Sequence, residues 1–171
     1  NDRYKKVTIM IMQKDALNNV NISEELVLIT PEELKQKYPL SRNDLHAIAQ
    51  SRQTISDIVQ HRDPRLLVVC GPCSIHDVDV AIDYAKRLKA LASELSDSLY
   101  IVMRVYFEKP RTTVGWKGLI SDPFMDGSFE MEKGLHIARK LLTELVQLGL
   151  PLATEALDPN NPQYLGDLFS W

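Results

Sequence analysis

Five consecutive apolar residues, Leu66-Leu67-Val68-Val69-Cys70, stop at Gly71-Pro72. A run this short and this uniform reads as a strand buried on both faces and closed by a turn. The chain then repeats the theme. Asp77 can cap a helical stripe of Val80, Ala81, Tyr84, Ala85, Leu88 and Leu91, and Leu99 to Val105 is a second strand. A long loop leads to a second stripe of Leu135, Ala138, Leu141, Leu142, Leu145 and Val146. Pro151 to Glu155 is a short third strand before a helical segment with Tyr164, Leu165, Leu168 and Phe169. Strand and helix alternate as βαβαβα, which calls for a parallel sheet, either doubly wound or an α/β barrel. No Gly-x-Gly-x-x-Gly follows the first strand, so the dinucleotide-binding version has no support. A barrel needs about 250 residues and eight units. With three units visible, the expected class is α/β: the N-terminal part of a (β/α)8 TIM barrel, preceded by an N-terminal helical extension.

That extension has its own signals. Thr30-Pro31-Glu32-Glu33 combines a cap, a proline at the first helical position and a capping-box glutamate, and the short helix stops before Tyr38-Pro39. From about Ser41 a longer helix places Leu45, Ile48, Ala49, Ile55, Ile58 and Val59 on one side and Arg52, Gln53 and Asp57 on the other. Three regions result: a lead-in over 1–11, an arm with helices over 12–62, and the first βα units of an incomplete barrel over 63–171. Met12 reads like a natural start, so the lead-in is expected to be upstream translated sequence or an expression remnant. The last helical pattern meets no glycine or proline before Trp171, so the chain is expected to be cut rather than finished.

Charge narrows the class of partner. The chain carries net charge −3 with a pI of about 5.8, yet residues 104 to 117 gather Arg104, Lys109, Arg111 and Lys117 around a single acid, Glu108. Cations concentrated in one place on an acidic chain suit a small phosphorylated anion and argue against nucleic acid. No stretch approaches the roughly 18 consecutive apolar residues of a spanning helix, so no membrane partner is expected. Two cysteines three residues apart make no disulfide framework, and the default compartment is cytoplasmic.

The polar residues of interest share a location. Cys73 follows the first strand, Lys109 and Arg111 follow the second, and Glu155 ends the third; strand C-termini form the active-site face of α/β barrels. Taken singly, each is as readily a solvated charge. Three segments aimed at one rim favour a functional reading.

Several stretches carry a family resemblance: Gly71-Pro72-Cys73-Ser74-Ile75-His76-Asp77, the run from Met103 to Gly118, Ala153-Thr154-Glu155, and Pro162-Gln163-Tyr164-Leu165. From about Met12 to Trp171 the sequence resembles class I 3-deoxy-D-arabino-heptulosonate 7-phosphate (DAHP) synthase, and Met12 to Val20 is most similar to the tyrosine-sensitive bacterial isoform. The resemblance implies condensation of phosphoenolpyruvate with erythrose 4-phosphate, the first step of the shikimate pathway to aromatic amino acids. It implies that Arg104 and Lys109 hold phosphoenolpyruvate, that Lys117 is a further contact, and that Arg111 and Thr112 hold the sugar phosphate with Pro110 stiffening their turn. Glu155 would position or deprotonate water, leaving Lys109 and Glu155 as the catalytic pair.

The resemblance further implies a divalent transition metal of the Mn, Fe, Co or Zn class, with Cys73 as a ligand and the other ligands in strands absent from these 171 residues. The isolated chain is therefore expected to bind metal poorly and not to turn over. A homo-oligomer and feedback by an aromatic amino acid, tyrosine, are implied as well, with Asn19 and Pro162 as feedback positions. A sister family making eight-carbon sugar acids has Ala-Asn-Arg after the corresponding lysine, where this chain has Pro110-Arg111-Thr112.

Two other readings compete. Cys70-Gly71-Pro72-Cys73 is a thioredoxin-like dithiol sequence, although here the first cysteine ends an apolar strand and no tryptophan precedes it. The chain could also be a non-catalytic fragment or a regulatory partner of a full-length enzyme. His76 is read as a loop or helix-start polar group, and Trp116 as packing for the long loop.

Overall fold

The computed structural model describes residues 27–109, 114–157 and 159–171. Two capped helices lead in. In α1 (Pro31–Lys37) the Thr30 hydroxyl accepts from the Glu33 amide while the Glu33 carboxylate accepts from the Thr30 amide, and Ser41 and Asp44 repeat the exchange at the start of α2 (Arg42–Val59). Each exchange satisfies amides that a helix start leaves without intrahelical partners.

The βα alternation read from the sequence is present. Strands β1 (Leu66–Cys70), β2 (Leu99–Arg104) and β3 (Leu152–Ala153) form one parallel sheet in the order β1-β2-β3. Between them run α3 (Val78–Glu94), capped by Asp77, and α4 (Met131–Gln147). The third strand is shorter than expected, ending at Ala153, and Glu155 lies two residues beyond it. The last helical pattern splits into α5 (Asn161–Leu165) and a 3₁₀ turn over Gly166–Leu168.

Strand β2 is central, and its alternation divides the packing. Ile101 and Met103 join the main core with Ala81, Ala85 and Leu88 of α3 and Leu135, Ala138, Leu141, Leu142 and Leu145 of α4. On the other face Val102 meets Ile55 of α2, with Leu67, Tyr100 and Ala153 around it.

Three amphipathic assignments change. β1 is not buried on both faces: Leu66 is 64% and Val69 42% exposed. Among the described residues it has one hydrogen-bonded neighbour, and the smaller apolar cluster takes in Leu67 without reaching Val69. In α2, Leu45 and Val59 are half exposed and Ala49 is exposed, whereas Ser51 is buried because its hydroxyl accepts a 2.8 Å hydrogen bond from the Tyr100 hydroxyl. In α3, Val80 and Leu91 face outward. Among the described residues no helix is long and apolar enough to cross a membrane.

Candidate active site

The turn after β1 must pass close to the end of β2, and Gly71 permits it. A Cβ there would lie 2.3 Å from the Arg104 carbonyl oxygen, well inside contact distance. The amide of Ile75 then donates to the Tyr106 carbonyl at 2.8 Å, tying the segment that carries Cys73 to the chain leaving β2. Arg104 closes the same junction with its side chain, donating from Nη1 to the Pro72 and Cys73 carbonyls at 2.9 and 3.0 Å. Its Nη2 lies 3.4 Å from Glu155 Oε1, and its guanidinium carbon sits 4.6 Å from the centroid of the Tyr106 ring. Three strand exits therefore meet at one guanidinium.

Lys109 arrives from the loop after β2. Its ammonium donates to Cys73 Sγ at 3.0 Å. That hydrogen bond, then the lysine charge and more weakly Arg104, hold the Cys73 thiol below its ordinary range, favouring thiolate. The lysine is set by its backbone. Its amide donates to the Lys117 carbonyl at 3.0 Å, Glu108 pairs with Gly118 in an antiparallel bridge, and Leu119 donates to the Phe107 carbonyl at 2.7 Å. Gly118, at φ +108°, allows this approach, since a Cβ would stand 2.0 Å from the Phe107 carbonyl oxygen. Trp116 fastens the outer part of the loop by donating to the Asp122 carbonyl at 2.7 Å, as its packing role requires.

Lys109 and Lys117 both line a cavity of about 500 Å³, together with Glu108, Ser121, Asn161, Gln163 and Tyr164. Glu155 and Tyr106 line a smaller one of about 240 Å³ that also includes Pro162. Glu108, Ile120 and Asn161 belong to both, and the Asn161 amide donates to Glu108 Oε1. Burial first, then the charges of Glu155 and Glu108, hold the Tyr106 phenol above its ordinary range.

Arg104, Lys109, Glu155 and Cys73 thus meet as the sequence predicted, and Lys117 is brought beside Lys109. Pro162 lies on the smaller cavity. Asn19, Pro110, Arg111 and Thr112 lie outside the described residues. His76 is an exposed loop residue before α3, and the His136 and Tyr38 rings meet in a T-shaped contact with centroids 5.7 Å apart.

Two participants carry little signal in the sequence. Tyr106 stands two residues from Arg104, so in extended chain it shares a face with it, and that spacing was the available signal. Asn161 has no sequence signal, since its bond to Glu108 spans 53 positions.

A metal fits the described residues poorly. Cys73 is one donor and its sulfur is already engaged by an ammonium. Among the described residues no group of three or more His, Cys, Asp or Glu could hold an ion. The dithiol reading loses its geometry too: Cys70 ends β1 and α3 opens only at Val78, so neither cysteine sits at a helix start.

Comparison with known proteins decides the family. The model of the DAHP synthetase I family matches residues 32–171. The chain belongs to the DAHP synthetase I family. It is 74% identical over 160 residues to the Tyr-sensitive phospho-2-dehydro-3-deoxyheptonate aldolase of Escherichia coli K12, covering 94% of this chain and 45% of that protein. The Phe-sensitive E. coli protein of the same name is 55% identical over 154 residues, covering 90% and 44%. Among solved structures, the phospho-2-dehydro-3-deoxyheptonate aldolase of Francisella tularensis SCHU S4 aligns with TM-score 0.85 and 49% identity over 88% of this chain and 44% of that one. The chain spans under half the length of these relatives.

Proposed function

We propose that this DAHP synthetase I family chain is the N-terminal portion of an enzyme that condenses phosphoenolpyruvate with erythrose 4-phosphate, and that its three strands are the first units of a (β/α)8 barrel. The single observation carrying this reading is the junction of Cys73 after β1, Arg104 and Lys109 at and after the end of β2, and Glu155 after β3, within a sequence 74% identical to a Tyr-sensitive relative.

In the reaction, C3 of phosphoenolpyruvate bonds to the aldehyde carbon, water adds at C2, and phosphate leaves from C2. Arg104 and Lys109 hold the phosphate and carboxylate of phosphoenolpyruvate with charge-assisted hydrogen bonds, and Lys117 adds positive potential beside them. Glu155, already near the Arg104 fork at 3.4 Å, orients or deprotonates the water. Arg111 and Thr112 bind the sugar phosphate on a turn stiffened by Pro110. Cys73 is a single thiol held by Lys109 and would be one ligand of a divalent metal only together with ligands from the rest of the family architecture, where such a metal would polarise the aldehyde. Partners of this reading are an aromatic amino acid effector, tyrosine, acting near Asn19 and Pro162, and further copies of the enzyme.

Calorimetric titration tests the anion site. Phosphoenolpyruvate is expected to bind this chain at least about tenfold more tightly than inorganic phosphate or pyruvate, because two anionic groups meet separate cations. Equal affinity for all three would overturn the reading. With erythrose 4-phosphate added, the 171-residue chain alone is expected to release no phosphate above background, and normal turnover would contradict the metal assignment.

A further inference from the structure

Arg104 holds three elements together, yet an arginine on a flexible stem is only as well aimed as its surroundings make it. Its Nη1 is fixed by the Pro72 and Cys73 carbonyls, and its Nη2 meets Glu155 at 3.4 Å, a long contact to a carboxylate that is itself 57% exposed. A further restraint is the flat face of Tyr106. Tyr106 is 5% exposed, its ring centroid lies 4.6 Å from the guanidinium carbon, and it lines the same cavity as Glu155. Tyr106 also reaches the other side of the junction: its carbonyl accepts from Ile75 and so pins the segment whose Pro72 and Cys73 carbonyls grip Arg104.

We infer that Tyr106 is a positioning residue of the anion site, its ring face fixing the plane of the Arg104 guanidinium so that the fork meets phosphoenolpyruvate without first being ordered. This rests on the proposed function. The ring acts on the ligand only through Arg104. A planar cation over a buried aromatic face is attracted by the ring quadrupole, and the attraction falls as electron density is withdrawn from the ring. A packing role depends on ring volume instead.

The test keeps the volume and changes the quadrupole. Tyr106→Phe, followed by mono-, tri- and pentafluorinated phenylalanine at the same position, is compared for phosphoenolpyruvate affinity in the full 171-residue chain. Tyr106→Phe is expected to stay within about twofold of the parent, and affinity is expected to fall stepwise by about 3- to 10-fold across the fluorinated set. In an Arg104→Gln background the series is expected to be flat. A flat series in the parent overturns the inference while leaving the proposed function standing. A slope that survives Arg104→Gln also overturns it, since the ring would then act without the guanidinium. A parent chain that does not bind phosphoenolpyruvate overturns the proposed function and this inference together.

Discussion

Two arginines in this molecule face carboxylates in opposite ways. Arg139, on α4, is 1% exposed and grips both oxygens of Asp167 at 2.8 Å while also donating to the Tyr164 carbonyl at 2.7 Å. Arg104, at the tip of β2, is 27% exposed and meets Glu155 at 3.4 Å through one nitrogen. The first pair is bidentate and shielded, and it locks α4 to the turn after α5. The second leaves its carboxylate mostly in solvent, where an incoming anion can compete for the guanidinium. The same chemistry serves architecture where the fork is bidentate and buried, and recognition where it is single and open.

The largest expected effect lies on the buried side. Asp167→Asn leaves the Arg139 charge without its partner, and removing one partner of a buried pair costs about 3 kcal/mol; denaturant titration of the variant against the parent measures it. Burial raises the Asp167 carboxyl, but the hydrogen bonds and charge of Arg139 outweigh it and leave the group below its ordinary range. The contribution is therefore fully present above an unfolded-state value of about 3.9, and it is lost as the pH falls through the lower folded value. Acid unfolding of the parent should accordingly show a component that Asp167→Asn lacks. An unchanged acid limb would mean that the pair is solvated like any surface one.

The second effect belongs to recognition. Arg104→Gln is expected to weaken phosphoenolpyruvate binding by roughly 10- to 100-fold, the range for losing hydrogen bonds to a charged group. Arg139→Met is expected to leave the affinity of the folded fraction within about twofold, because a site away from the ligand couples weakly to it. Comparable losses in both would erase the distinction between the two arginines.

Smaller still is the cost of the exposed pair to folding. Glu155→Gln should change stability by less than about 1 kcal/mol, as partly exposed single-contact ion pairs do. A larger loss in thermal or denaturant unfolding would make Glu155 a structural residue.

The contrast also explains what could be read from the chain beforehand. The βαβαβα order, the Thr30–Glu33 capping box and the meeting of Cys73, Arg104, Lys109 and Glu155 were legible because local spacing and strand ends encode them. The Arg139–Asp167 pair was not read, although a charged residue beside Leu135, Ala138 and Leu142 on an apolar stripe was a visible anomaly. Its partner lies 28 positions away, inside a segment whose spacing reads as helical and which forms a 3₁₀ turn at that point. The outward faces of Leu66, Val69 and Val80 were misread for a related reason. Hydrophobicity marks a residue suited to burial, but the neighbour that covers it is set by tertiary arrangement.

One measurement confronts the two arginines in a single sample. In ¹⁵N-edited spectra of the guanidinium Nε–Hε groups, adding phosphoenolpyruvate should shift the Arg104 resonance saturably and leave the Arg139 resonance in place. Movement of exposed arginines such as Arg87 in proportion to ligand, with Arg104 no different from them, would show a diffuse ionic response and contradict a built anion site at the strand tips.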